Sequence, residues 1–233
     1  MDERLAALAA EWQLPPAAPA QLRSLLERVE AEPTSITTVR DPAAAVDVHV
    51  ADSLSGLAVD AVRDAQRIAD LGSGGGFPGL ALAAALPGAS VTLVESVGKK
   101  CAFLDRAAAA AGLSNVVVVN ARAEEWLEGL ASQDVVTARA LAPLNVLVEY
   151  AAPLLRLGGS LVAWKAGRDA GEERDGVAAA SALGLEPLAP VPVTPFQGAG
   201  GRHLHLYLKV LETPPGYPRR AGMARKRPIR AST

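Results

Sequence analysis

From about residue 66 the chain alternates short β-rich runs with Ala-rich helical runs, and this alternation narrows the possible fold more than any other feature. The β-like runs are RIADL, SVTLVES, NVVVVNA, DVVTARA and LVAWK. Between them lie PGLALAAAL, GKKCAFLDRAAAAAG, EEWLEGL and LNVLVEYAAPLLRL. Strands separated by helices pair in parallel, and the crossover helices cover both faces of the sheet. A helix over about 170–183 leads to LEPLAPVPVT and then to RHLHLYLKVL, whose period of two predicts a strand with one solvated face. The Gly-rich link PFQGAGG between these two is short, which predicts an antiparallel last strand. The expected fold is α/β, a mostly parallel sheet of seven strands with an antiparallel last strand and helices on both faces. Upstream, residues 2–31 read as helical with a break at LPPAAPA, and Asp41-Pro42 opens a helix expected through Ala51. The chain divides into a helical region 1–56, a sheet domain 57–211 and a basic, Pro-containing tail 212–233.

Composition limits the chemistry. Half of the residues are hydrophobic but only 4% are aromatic, so the core must be built from Ala, Leu and Val. The single cysteine, Cys101, excludes an internal disulfide and a multi-cysteine metal site, and no metal is expected. MDERLAALAAEWQL carries early acids and no long apolar block, unlike a signal peptide, and GLALAAALPGA is too short to span a bilayer. The expectation is a cytoplasmic monomer without membrane contact. The net charge of −2 conceals an asymmetry. Residues 1–212 hold 17 basic and 25 acidic groups, a net of −8, whereas six basic residues and no acid follow Glu212. A basic tail on an acidic body is expected to meet a polyanion, and the stretch ETPPGYP before it is expected to be extended and flexible.

In an open parallel sheet, ligands bind beyond the carboxyl ends of the strands, where the strand order reverses. After the first strand comes DLGSGGGFPGL. Gly72, Gly74, Gly75 and Gly76 allow backbone angles closed to other residues and let a ligand approach the main chain. Pro78 suits the first turn of the following helix. Asp70 is placed to accept a hydrogen bond from a ligand or to hold the loop. Gly74-x-Gly76-x-x-Gly79, with an acid at Glu95, also matches the dinucleotide fingerprint. Glu95 ends the second strand, where a carboxylate can chelate the two hydroxyls of a ribose; it can equally cap the helix near Gly98. Glu124, after the third strand, fits an adenine amino group, with Ala123 leaving room for the ring. Arg139, after the fourth, has no acid beside it in sequence and could pair with a carboxylate or a phosphate.

These residues resemble a known pattern. ADLGSGGGFPGLALA, VTLVESVGKKCAFL, NARAEE and DVVTARALAPL look like the Rossmann-like class I methyltransferases that use S-adenosylmethionine. More narrowly, with TTVRDPAAAVDVHVADSL, RHLHLYLK and YPRRAGMARKRPI, they resemble the RsmG (GidB) family of bacterial 16S rRNA guanine-N7 methyltransferases. The resemblance covers roughly residues 35–229, and Gly-Phe-Pro-Gly is its most specific element. It implies cofactor contacts at Gly72, Phe77, Ala123, Glu124 and Arg139, beside Asp70, Gly74 and Glu95. The family often has Asp at Glu95, and TARA stands here in place of SRA.

The resemblance implies 16S rRNA or the small ribosomal subunit as partner. Phosphate contacts are expected from Arg40, His49, Lys165, Arg202, His203 and the tail residues Arg219, Arg220, Arg225, Lys226 and Arg227. Guanine N7 has a lone pair and no proton, so transfer is a matter of positioning and no general base is assigned. Two other readings stay open: an NAD-dependent oxidoreductase using Gly74–Gly79, and a non-catalytic RNA-binding protein.

Overall fold

The computed structural model describes residues 1–32 and 41–232. The chain opens with helices α1 (Asp2–Glu11), α2 (Ala18–Ala31), α3 (Pro42–Ala45), a π-helical stretch (Val46–Ala51), α4 (Asp52–Leu54), a 3₁₀ turn (Ser55–Ala58) and α5 (Asp60–Arg63). Next come β1 (Arg67–Leu71), α6 (Gly79–Ala85), β2 (Ser90–Glu95), α7 (Gly98–Ala110) and β3 (Val116–Asn120). They are followed by β4 (Gln133–Arg139), α8 (Leu144–Ala151), β5 (Leu155–Lys165) and α9 (Ala170–Leu183). The last elements are β6 (Leu185–Pro187), β7 (Val191–Val193), β8 (Arg202–Lys209) and α10 (Met223–Lys226).

The sheet runs β3-β2-β1-β4-β5-β8-β6, with β7 also paired to β8. β1 to β5 are mutually parallel, and β8 is antiparallel to β5. The seventh position across the sheet is divided between two short strands. Pro187, Pro190 and Pro192 lack N–H donors, so LEPLAPVPVT cannot sustain one continuous ladder, and proline is tolerated there because this is an edge. Strand order reverses between β1 and β4, which opens a crevice at their carboxyl ends.

Three helical expectations change in detail. EEWLEGL forms two 3₁₀ turns, Ala123–Glu125 and Leu127–Gly129. Seven residues are few for a helix, and Trp126 is buried directly over Gly129, where a Cβ would lie 2.5 Å from its ring. Leu155, the second leucine of AAPLLRL, begins β5, because Pro153 follows the end of α8. The helix from Pro42 continues beyond Ala51, through the π-helical stretch and α4, to Ala58.

Two apolar layers sandwich the sheet. On one face Leu5, Leu8, Leu22 and Leu25 of α1 and α2 pack with Val50, Leu54, Ile68, Leu93 and Leu104, so the N-terminal helices share a core with the sheet. Each such leucine contributes about 1.5–3 kcal/mol by leaving water. On the other face α8 and α9 cover β4 and β5, joined by Ala224, Tyr217 and Ile229 from the C-terminal segment. That segment is therefore not an extended, flexible arm. Among the described residues no helix is long and apolar enough to cross a membrane, and no three His, Cys, Asp or Glu side chains converge to hold a metal.

Candidate functional site

The glycine loop joins β1 to α6. Gly72, Gly74 and Gly76 have φ of 64°, 55° and 94°, a left-handed region closed in practice to side-chain-bearing residues. A Cβ on Gly72 would lie 2.5 Å from Leu141, so this backbone must pass bare beneath the end of β4. Gly72→Ala is expected to lower stability by roughly 1–2 kcal/mol through backbone strain and the displaced Leu141, readable by urea unfolding.

Asp70 holds this loop. It is 1% exposed and accepts hydrogen bonds from Gly79 N–H at 3.2 Å and from Thr137 Oγ1 at 2.8 Å. The parallel register that places Asp70 opposite Thr137 makes the second bond. Burial pushes the Asp70 carboxyl up to about 6, against the hydrogen bonds from Thr137 and Gly79. Both oxygens are engaged inside the protein, in keeping with the reading of Asp70 as the residue that holds the loop.

Glu95 is similarly committed. It is buried and accepts from Gly74 N–H at 3.0 Å and from Val97 N–H, at the start of α7, at 2.9 Å. The second-strand acid thus ties the glycine loop to α7, and a ribose would have to displace one of these bonds. Phe77 completes the loop. It is buried, stacks on His49 with ring centroids 5.1 Å apart, and lies beneath Arg139.

Two cavities open at the crevice. The first, of about 170 Å³, is bounded by Gly72, Ser96, Ala123, Glu124, Leu141 and Tyr150, with Arg225 beside them. It brings together three of the expected cofactor residues, Gly72, Ala123 and Glu124. The second, of about 210 Å³, is bounded by Asp52, Arg139, Trp164, Lys165, Arg202 and His203. The end of β4 separates them: Arg139 and Ala140 face the second, Leu141 the first. Ala140 has φ of 54°, a strained angle for alanine at the junction of the two.

The second cavity is built on a carboxylate that sequence reasoning missed. Asp52 is 3% exposed, accepts from Arg139 Nη1 at 2.7 Å and lies 3.2 Å from Arg202 Nη1. Trp164 Nε1 donates to the Asp52 carbonyl at 2.8 Å. Arg139 also donates to Val48 O at 2.9 Å, a carbonyl presented by the π-helical stretch. Arg139 therefore belongs to the cationic cavity, and its acid partner lies 87 residues away. Nothing local in VHVADSL marks Asp52 for this role.

The expected phosphate ligands are dispersed. His49 is buried; desolvation and then the Arg139 charge push it down to about 4, so it is neutral near pH 7 and is not a phosphate-binding cation. Lys165 donates to Ala142 O and to Glu172 of α9, seven residues further along the chain. His203, half-buried, and Arg202 line the second cavity. Arg219 turns inward in a two-pronged ion pair with buried Glu149, and Arg225 bonds Leu141 O at 2.8 Å, so neither extends as part of a free arm. Arg220, Lys226 and Arg227 have exposed side chains. Arg40 lies outside the described residues.

A glycine loop, an acid after β3 and a cationic cavity beyond β4 on this sheet can be compared with known proteins. A family model described as rRNA small subunit methyltransferase G matches residues 21–196. The chain belongs to this methyltransferase family. It is 46% identical over 202 residues to the ribosomal RNA small subunit methyltransferase G of Rubrobacter xylanophilus, covering 84% of this chain and 77% of that protein. The corresponding protein of Symbiobacterium thermophilum is 40% identical over 241 residues, covering 98% and 96%. Among solved structures, the fibrillarin pre-rRNA processing protein of Methanococcus jannaschii superposes with a TM-score of 0.54 at 18% identity, over 69% of this chain and 74% of that one. A point mutant of MtNAS in complex with S-adenosylmethionine gives 0.55 at 16% identity, over 82% and 72%. These structural likenesses support the Rossmann-like fold, and membership of the family makes the chain an rRNA methyltransferase.

Proposed function

We propose that the chain transfers the methyl group of S-adenosylmethionine to N7 of a guanine in 16S rRNA, in the cytoplasm where ribosomes are assembled. The observation that carries this reading is the pair of cavities meeting at the end of β4. One suits a nucleoside, with bare glycine backbone, a serine and a carboxylate; the other is walled by cations. Gly72, Ser96, Ala123 and Glu124 would hold the cofactor, and Arg139, Lys165, Arg202 and His203 would meet the nucleic acid.

The loop's hydrogen bonding favours this cofactor over a dinucleotide. A pyrophosphate needs free backbone N–H groups at the glycine turn. Here Gly74 N–H is engaged by Glu95 and Gly79 N–H by Asp70, so the loop meets its ligand with carboxylates behind it. That suits a cationic sulfonium and repels a pyrophosphate.

The bound cofactor supplies an electrophilic methyl group. Guanine N7 would bring a lone pair and has no proton to lose, so no side chain of the crevice needs to act as a base. The chain's task is to hold the base in line and keep water out. The strained turn at Ala140 and the Asp52-anchored guanidinium of Arg139 fix the wall between base and cofactor. A base enters such a crevice only once it has left its stack.

The test offers labelled S-adenosylmethionine with naked 16S rRNA, small subunits and whole ribosomes, and maps the labelled base. Label at N7 of a guanine in one of these substrates is expected, with calorimetric binding of S-adenosylhomocysteine and none of NAD. Binding of NAD instead, or cofactor binding without methyl transfer to any of the three, would overturn the reading.

A further inference from the structure

The C-terminal segment, read from charge as an RNA arm, lies against the first cavity. Its attachments are specific. Arg219 pairs with Glu149, which is 3% exposed. Asn145 Nδ2 donates to Ile229 O at 2.7 Å, and Ala231 N–H donates to Asp175 Oδ1 at 3.0 Å. Ala224 is 1% exposed in the layer that holds Leu144 and Tyr150. Between these anchors, Gly222 N–H donates to Glu124 Oε1 at 2.8 Å, and Arg225 Nη2 donates to Leu141 O at 2.8 Å while Arg225 borders the cavity.

We propose that residues 217–229 form a wall of the nucleoside cavity, with Arg225 facing the bound adenosine and the Gly222 N–H orienting Glu124 toward its amino group. The inference rests on the cofactor reading above. A carboxylate has two oxygens, and a bond at Glu124 Oε1 leaves the other to accept from an exocyclic amine. Gly222, with φ of 81°, adopts the turn that presents its N–H to Glu124. Arg225 reaches the cavity from the tail while tied to Leu141, the residue that faces Gly72. A planar guanidinium held in this way covers the side of the cavity that the sheet leaves open.

The first measurement is calorimetry with S-adenosylhomocysteine on the intact protein and on Arg225→Met, whose exposed position makes the substitution structurally mild. The Kd of Arg225→Met is expected to rise about tenfold, as loss of a charged hydrogen-bonding group implies. The log–log salt slope for binding a 16S rRNA fragment is expected to stay unchanged. A Kd within about twofold of the parent would overturn the proposal, and a slope shallower by about one would overturn it by making Arg225 a phosphate ligand. The second uses the unmodified chain. Trypsin cleavage after Arg220, Arg225 and Lys226 is expected to slow severalfold when S-adenosylhomocysteine is bound; an unchanged rate overturns the wall. Failure of the parent to bind S-adenosylhomocysteine sinks the cofactor reading itself, whereas parental binding with an indifferent tail sinks only this inference.

Discussion

Arg139→Met is expected to lower the thermal midpoint by about 6–12 °C and kcat/KM for rRNA by more than about a hundredfold. The cause is the carboxylate left behind. Asp52 is 3% exposed, and among the described residues the ion pair left to it without Arg139 is Arg202, 3.2 Å away. Removing one partner of a buried pair costs about 3–5 kcal/mol, and the lower end applies because the Arg139 side chain remains 17% exposed. The double variant Asp52→Asn with Arg139→Met separates structure from function. Neutralising the stranded acid is expected to restore most of the thermal midpoint but none of the activity, because the cavity still lacks its guanidinium. Recovery of both together would make Arg139 a structural residue only. An unaffected midpoint in Arg139→Met alone would show that the pair is not holding the crevice.

Asp70 is expected to be the most sensitive position in the glycine loop, and in a way that depends on what replaces it. Asp70→Ala strands the Gly79 N–H and the Thr137 hydroxyl inside the protein, at about 1–3 kcal/mol for each orphaned group. Asp70→Asn keeps an acceptor for Gly79 and offers its amide to Thr137 Oγ1, so its cost is small. The asparagine variant then isolates a titration. Burial raises the folded carboxyl from 3.8 to about 6, so between these values the native state retains a proton that the unfolded chain has released. This contribution to stability is complete below about pH 4 and is lost as pH rises through about 6, amounting to at most about 3 kcal/mol. The stability of Asp70→Asn relative to the parent should therefore increase from about pH 4 to about pH 6.5 and then level off, as measured by urea unfolding at several pH values. Parallel curves for the two proteins would show that Asp70 does not titrate in this window.

Both expectations rest on partners that are distant in sequence, which shows where reading the chain was sufficient. Alternation of β-rich and Ala-rich runs determined a parallel sheet covered on both sides, because strands interrupted by helices cannot form hairpins. The glycines of LGSGGG placed the ligand loop, since only glycine takes three left-handed angles in five residues without strain. The residues of the loop and of TARALAPL carried the family, which the comparison then bore out.

Local sequence could not decide the direction in which a charge points. Asp70 and Glu95 each read two ways, as a ligand contact or as the group that holds the loop or caps the next helix, and only the fold shows the bonds from Gly79, Gly74 and Val97 N–H that engage them. Arg139 looked unpaired because its acid is on a helix formed 87 residues earlier. The tail looked like an arm for polyanions because its six basic residues follow an acidic body; Glu149, Leu141 and Glu124 draw it back onto the fold. A sequence states which groups are charged and how the backbone repeats. Only tertiary structure brings opposite charges within about 3 Å and shields them from water, and there a pairing outweighs any preference that neighbouring residues can express.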